Sequence, residues 1–422
     1  MKILWVSSRL IGPAAMIAST DYSGTSGGWI QSEYDVLTHD NYQMFYLCGT
    51  RDRLTNAYEH KKAIDGEVFL VELPRISNGI TPSSKLVQTI ASIIERIQPD
   101  LIHLWGTETC VQDAVIRAAQ GYPVVVFIQG LIGVHTRYYG GYMRAMNRDY
   151  ESMASIRQKV IRWTRRLLFK RQAKIETEII KKAKNIIVDS DFARAYCSTL
   201  NEKINFYERH LNASNIFRQT EWNADQIEPF SVFTVFGGSP DKGLHQLIKA
   251  IFLVKKKYKN VKVYIPGPFR ITEEGNLLIT KRSSAYEKWL DNYIRTHDLL
   301  SNVFFVGAQS PKGMSEYITK CHVYVNPSCM EVHALSLREA MTAGAPVISS
   351  LCGSVAEFIH YGVDGFIYRY EEFEMLALLI EKVFSNKDLA ITLGKNARVN
   401  MEQLYLESQK NTLEDIYRQI VG

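Results

Sequence analysis

Between Asn326 and Gly344 the chain reads Asn-Pro-Ser-Cys-Met-Glu-Val-His-Ala-Leu-Ser-Leu-Arg-Glu-Ala-Met-Thr-Ala-Gly, with two carboxylates, Glu331 and Glu339, eight residues apart. A carboxylate accepts several hydrogen bonds, which suits the hydroxyls of a sugar. Val323 to Val325 is a short apolar run of buried-strand type. From Leu335 the period turns helical, with Leu337, Ala340 and Met341 on one face. Gly344 and Pro346 then stop the helix. Glu331 is therefore expected on a loop at the carboxyl end of a strand, and Glu339 about one turn into the next helix. Open α/β sheets bind ligands in that crevice. Free N–H groups of a first helical turn favour an anion there. A phosphate on those groups, with carboxylates for hydroxyls, points to a nucleotide-sugar.

Moving a sugar from a nucleotide needs a grip on the nucleoside, charge relief for the leaving diphosphate and an aligned acceptor. Glu339 could supply the grip through both ribose hydroxyls. Lys242 lies just ahead of a helix predicted from Leu244 to Val254, where a cation can meet a diphosphate. The plain alternatives are a solvated helical glutamate and a surface lysine in the turn marked by Pro240-Asp241. The G-x-x-x-x-G-K-[ST] order of a P-loop is absent. Ser26-Gly27-Gly28 follows the first strand, and glycines there let backbone approach a phosphate. A flexible loop fits the same residues. The missing G-x-G-x-x-G counts against a dinucleotide dehydrogenase. Gln129 ends a predicted strand at the ligand-binding edge, His103 lies within another strand, and Glu108 lies just past its end. These three are the acceptor-side candidates, although a lone histidine on a strand is more often structural.

The chain has 422 residues, a length for two or three domains. It is 46% hydrophobic and 22% charged, the balance of a globular protein. No run of about 18 uncharged apolar residues exists, so no spanning helix is expected. Met-Lys-Ile-Leu-Trp-Val-Ser is too short for a signal peptide and reads as a buried strand. Six scattered cysteines form no C-x-x-C pair, so neither a zinc site nor a disulfide framework is expected, and a cytoplasmic location follows. The net charge of +6 permits anionic partners without demanding nucleic acid.

Apolar runs at Ile3–Val6, Met44–Leu47, Val68–Val71, Leu101–Leu104, Val124–Ile128 and Ile186–Val188 read as one parallel sheet. Leu86, Ile90, Ile93, Ile94 and Ile97 keep a helical period between them. A second set follows at Val232–Phe236, Val261–Ile265, Val303–Val306, Val323–Val325, Val347–Ile348 and Phe366–Tyr368. The polar stretch from Asn212 to Pro229 marks the boundary. The expected division is therefore an acceptor-side domain over residues 1–215, a nucleotide-sugar domain over 230–400 and a C-terminal helix over 401–422. Asp388 to Met401 and Glu402 to Val421 both look helical.

The Glu331-x7-Glu339 segment resembles the signature of retaining glycosyltransferases of family 4. Phe236-Gly-Gly-Ser-Pro-Asp-Lys-Gly243, Val303-Phe-Phe-Val-Gly307, Pro346-Val-Ile-Ser-Ser350 and Gly353-Ser-Val-Ala-Glu357 fit the same family in order. Pro99-Asp-Leu-Ile-His-Leu-Trp-Gly-Thr-Glu108 and Ile128-Gln-Gly-Leu131 resemble its bacterial surface-polysaccharide branch. The likeness is strong over residues 230–370 and weaker before them. It implies an α/β chain of two Rossmann-like domains facing across a cleft, the glycosyltransferase-B architecture. It implies a hexosyltransferase-type enzyme that moves a sugar, with retention, from a UDP- or GDP-linked donor to a glycan or lipid-linked acceptor, with no cofactor. Glu331 would then face the donor sugar and Glu339 the ribose. The donor-binding set becomes Gly27, Gly28, Lys242, Gly307, Glu331, His333, Ala334, Leu335 and Glu339, with Lys242 and Glu331 also catalytic.

Two departures from the family stand out. Gly238 and Ser239 occupy the region where it often has an arginine, leaving Arg270 or Arg282 as substitutes. Gln129 stands where many members have a histidine, so a histidine role does not carry over. Asp189-Ser190-Asp191 offers a rival reading, a divalent cation held beside a diphosphate as in glycosyltransferases of the other fold. A helix cap fits the same residues. No metal is expected. Arg157 to Lys174 holds eight basic residues and no acid, with Val160, Trp163 and Leu167 on one helical face. Either that face packs into a core, or the helix meets anionic lipid at the inner face of a membrane. A nucleotide-sugar-binding protein without turnover, or an epimerase, are the alternative functions.

Overall fold

The computed structural model describes residues 1–12, 14–15, 28–37, 41–63, 66–74, 79–235 and 238–422. Two compact units emerge. Met1–Arg137, Arg165–Asn212 and Glu407–Gly422 form the first, and Tyr138–Thr164 with Ala213–Leu406 form the second. The sequence reading drew boundaries between residues 215 and 230 and at residue 401. The chain also leaves the first unit at residue 138 and returns to it twice, at 165 and at 407.

The first unit is built on strands β1 (Lys2–Ser7), β2 (Gln43–Thr50), β3 (Glu59–Ala63), β4 (Gly66–Glu72), β5 (Leu101–Trp105), β6 (Val124–Phe127), β7 (Asn185–Val188) and β8 (Asn205–Glu208). Their order is β3-β4-β2-β1-β5-β6-β7-β8, parallel throughout except for the antiparallel pair β3–β4. All six expected strands are present. The two extra strands lie at the sheet edges, where polar sequences such as Glu-His-Lys-Lys-Ala and Asn-Phe-Tyr-Glu give no apolar run to detect. The helix over Ser84–Ile97 forms as its period dictates. Ser83 accepts a hydrogen bond from the Leu86 N–H, Gln98 closes the other end in the left-handed region, and Ile90, Ile93, Ile94 and Ile97 are buried.

The strip Lys387–Lys410 is one helix, and a second, α1 (Leu413–Val421), follows it. The break falls at Thr412 rather than near Met401, because Thr412 and Asp415 form a capping box. Helix α1 belongs to the first unit. The Tyr417 hydroxyl lies 3.0 Å from Trp5 Nε1, which donates to it, and 2.5 Å from His103 Nδ1. Arg209, fully buried, pairs with Glu33 at 2.9 Å and donates to the backbone oxygens of Ser408 and Asn411.

The second unit carries β9 (Ser231–Phe233), β10 (Lys262–Pro266), β11 (Val303–Gly307), β12 (Val323–Asn326), β13 (Val347–Ser350) and β14 (Phe366–Tyr368). They form one parallel sheet in the order β11-β10-β9-β12-β13-β14. Every expected strand of this set is present. Phe236 and Gly237 lie outside the described residues. The order reverses between β9 and β12, so the loops leaving these two strands diverge around one crevice, the place where such sheets hold ligands.

Candidate active site

Both loops at that crevice carry charged residues. After β12 the chain runs through Glu331 to α2 (Leu335–Thr342), whose Leu337, Ala340 and Met341 are buried as the period requires. After β9 it passes Ser239 and a single turn, Pro240–Lys242, to α3 (Leu244–Lys255). The loops interlock at close range. The Cys329 N–H donates to the Asp241 carbonyl at 2.8 Å. Gly243 has φ +68 and packs so tightly on the Pro327 carbonyl that a Cβ there would strike it. Gly353, at φ +51, abuts the Glu331 carbonyl in the same way, and the Ser354 N–H donates to that carbonyl at 3.2 Å. Glycine is needed at both positions by conformation and by space.

This packing brings Lys242 and Glu331 together. Lys242 Nζ lies 2.6 Å from Glu331 Oε1, and both side chains keep some solvent access. Burial disfavours the Lys242 ammonium, but the Glu331 carboxylate outweighs it and holds the lysine pKa above its ordinary value. Helix α2 starts from Ala334 at φ 45, with no side chain capping its first turn. Its first N–H groups are therefore available to an anion. Glu339 is half-buried one turn further on, and no hydrogen-bond partner for its carboxylate is found among the described residues. Burial alone raises its pKa to about 8. A desolvated carboxylate without a cation or donor is costly unless a ligand supplies hydrogen bonds.

The remaining donor-side candidates divide. His333, Ala334 and Leu335 lie on the path from Glu331 into α2, and Ala334 is buried. Gly307 ends edge strand β11 at φ +69, accepting from the Gly267 N–H at 2.9 Å. Gly27 lies outside the described residues, and Gly28 opens a helix that runs to Asp35. Ser239 donates to the Asp241 carboxylate, and Arg270 and Arg282 are both exposed.

In the first unit, His103 is a core residue. It is fully buried, shares the Tyr417 hydroxyl, stacks on Trp105 at 4.0 Å and is held neutral, with burial lowering its pKa to about 3. A ring so enclosed cannot meet an acceptor, so the structural reading replaces the acceptor-side one. Glu108 and Gln129 remain half-buried at the carboxyl ends of β5 and β6. Burial raises the Glu108 pKa to about 7. A further carboxylate joins them that the sequence reading missed. Glu176, fully buried, accepts from the Ile132 and Gly133 N–H groups at 2.8 Å each and from Thr107 at 3.1 Å. It thus ties together the loops that present Glu108 and Gln129. The available signal was its place as the first acid after the basic stretch.

Asp189 and Asp191 do not converge. Asp189 accepts from the Leu211 N–H at 3.1 Å and pairs with His210, while Asp191 is exposed beside Arg194. The helix cap between them is Ser190, which accepts from the Ala193 N–H.

The likeness to known proteins falls mainly on the second unit. Residues 219–400 match the family described as glycosyl transferases group 1. The chain carries a glycosyl transferases group 1 domain. It is 26% identical over 184 residues to the capsular polysaccharide biosynthesis glycosyltransferase CapM of Staphylococcus aureus, covering 41% of this chain and 43% of that one. It is 25% identical over 209 residues to the lipopolysaccharide 1,2-N-acetylglucosaminetransferase of Salmonella typhimurium, covering 45% and 50%. The match thus spans half or less of these curated relatives. Among solved structures, the sucrose-phosphate synthase of Thermosynechococcus elongatus superposes with a TM-score of 0.72 at 18% identity, covering 99% of this chain and 98% of that one. Anabaena Alr3699/HepE in complex with UDP gives 0.63 at 16% identity, covering 97% and 98%. The fold is that of the glycosyltransferase-B enzymes, with two Rossmann-like domains.

Proposed function

We propose that the protein is a retaining glycosyltransferase that moves a hexose from a UDP- or GDP-linked donor to a glycan or lipid-linked acceptor in bacterial surface-polysaccharide synthesis. The observation that carries this reading is the Lys242–Glu331 pair at 2.6 Å, set at the switch point of the second sheet beside the uncapped α2 and the unpartnered Glu339. Lys242 and the α2 N–H groups meet the diphosphate, Glu339 takes the ribose hydroxyls, and Glu331 faces the donor sugar. Relatives with capsular and lipopolysaccharide names, and a neighbour solved with UDP, support the reading. Incubation with a panel of UDP- and GDP-sugars and a glycan acceptor, followed by mass spectrometry, tests it. Mass added to the acceptor supports transfer. Binding with no product indicates a nucleotide-sugar-binding protein, and an altered free sugar-nucleotide indicates an epimerase.

Retention is expected at the anomeric carbon. The acceptor hydroxyl would attack on the face from which the diphosphate leaves, whose oxygen takes the proton. NMR coupling constants of the first-formed linkage decide this, and an inverted linkage would contradict the roles given to Glu331 and Glu339.

Peripheral contact with an anionic membrane, on the cytoplasmic side, belongs to the same reading. Among the described residues no helix is long and apolar enough to cross a membrane. The helix Ile156–Lys182 exposes Ile156, Val160, Trp163 and Leu167, with Trp163 64% exposed, so this stripe is not packed into a core. Arg162 is taken by Glu151 at 2.8 Å. Neutralising Arg165, Arg166 and Lys170 is therefore expected to weaken binding to phosphatidylserine vesicles. The effect should be greatest at low salt, since charges more than about 10 Å apart are screened at about 0.1 M. Transfer to a short soluble acceptor should hardly change. A parent protein that ignores such vesicles at low salt would remove the membrane role.

A further inference from the structure

The run Tyr138-Tyr-Gly-Gly-Tyr142 lies in sequence between β6 and β7 of the first unit, yet it packs within the second unit against the loop that carries Lys242. Gly141, at φ +57, is pressed against Pro240. A Cβ there would strike the Pro240 carbonyl and lie 2.9 Å from the Asp241 nitrogen. The Tyr370 hydroxyl donates to the Gly141 carbonyl at 2.9 Å and is itself placed by His245 Nε2 at 3.2 Å. Cys329, two residues before Glu331, lies 4.0 Å through its sulfur from the Tyr138 carbonyl. The strap therefore borders the same two loops that form the Lys242–Glu331 pair.

Its conformation is strained. Gly140, Gly141 and Tyr142 follow one another at positive φ, and for Tyr142 (φ 57) this is a region that bulky side chains avoid. Such strain persists only where the surroundings impose it, and it concentrates at ligand sites. Its effect is to hold the Tyr142 ring 39% exposed. The ring stands edge-on to Tyr138 at 6.0 Å and is tilted against Tyr370 at 6.1 Å. An aromatic fixed in this way loses little entropy on binding. One face of a pyranose is lined with C–H bonds carrying partial positive charge, which suit the electron-rich face of an aromatic ring.

We propose that Tyr142, held out by the Tyr138–Tyr142 strap, is the aromatic surface on which a pyranose ring of the substrate packs, and so a specificity-determining residue. The inference rests on the nucleotide-sugar reading above. The pyranose belongs either to the donor or to the acceptor. Calorimetry with UDP, GDP, UDP-glucose, UDP-galactose, UDP-N-acetylglucosamine and GDP-mannose, and with methyl α-glucoside added to the nucleotide complex, separates the cases. Tyr142→Gly removes the ring while relieving the strain, so its melting temperature should equal or exceed that of the parent. It should bind the free nucleotide within about twofold and lose about tenfold either for the nucleotide-sugar or for the added glucoside. The first loss assigns the donor sugar, and the second assigns the acceptor. Tyr142→Phe should match the parent. The proposal fails if neither affinity moves, if the free nucleotide weakens as much as the nucleotide-sugar, or if Tyr142→Phe is as damaging as Tyr142→Gly. A parent protein that binds none of the nucleotides or nucleotide-sugars defeats the donor-site reading itself, and the proposal with it.

Discussion

Lys242→Ala is expected to lower sugar transfer by about 10²–10³-fold, the loss seen when a preorganised stabiliser of developing charge is removed. The geometry supports a charge role. The ammonium is partly withdrawn from water, kept protonated by Glu331 at 2.6 Å and set on the turn before α3. Negative charge grows on the diphosphate as the glycosidic bond breaks. A cation already in place meets that charge without reorganising. Steady-state kinetics on the purified variant, with folding checked by thermal melting, measure the effect. A decrease under about threefold, far below that range, would remove Lys242 from the chemistry. The parent reaction is expected to persist in EDTA, since Lys242 and the α2 N–H groups are assigned the charge relief. Activity lost in EDTA and restored by manganese would overturn that assignment.

Glu339→Ala should weaken nucleotide-sugar binding by about 10- to 150-fold, the equivalent of losing a charged hydrogen-bond acceptor worth about 1.5–3 kcal/mol. A folded variant with unchanged affinity would rule out the ribose role. The pH dependence is a second check. Burial lifts the Glu339 pKa from 4.5 to about 8, so in the empty protein the acid form predominates near neutrality. The folded state then binds the proton more tightly than the unfolded chain. Its contribution to stability is full below about 4.5 and is lost as pH rises through about 8. Ribose hydroxyls prefer the carboxylate. Nucleotide-sugar affinity should therefore rise about eightfold between about pH 7 and about pH 8.5, in step with the ionised fraction. A nucleotide-sugar, unlike a free nucleotide, has no phosphate that titrates in this range. Glu339→Gln should flatten the profile, and a profile unchanged by that substitution would detach it from Glu339.

The strands of both sheets were readable because each central one is a run of apolar residues covered on both faces. The edge strands β3 and β8 were not, since half-exposed edges need no such run. The α2 segment was legible down to its buried face, because strand, loop and helix signals agree within twenty residues. Partnerships across long separations were hidden. His103 looks like a candidate ligand until Tyr417, far along the chain, is found beside it. The Tyr138–Tyr142 strap offers only two glycines and three tyrosines to a reader of sequence, and nothing local shows that it serves the second unit. Glu176 was lost for the same reason, since its partners Thr107, Ile132 and Gly133 lie on other elements.

The docking of α1 bears on how the chain matures during synthesis. Strands β1 and β5 are made early, but the Tyr417 hydroxyl that serves Trp5 and His103 comes from a segment made after the whole second unit. Until then two buried polar nitrogens lack that partner, and the apolar face that receives Leu413, Ile416 and Tyr417 lies open. The early half must wait, collapsed but unfinished, while the later half emerges and folds. Long-range closure of this kind is slow and leaves sticky surface exposed in the interval. On a ribosome the second unit would reach its final packing first, although most of it is translated after the first unit's strands, and the nascent first sheet would be the part that needs a chaperone.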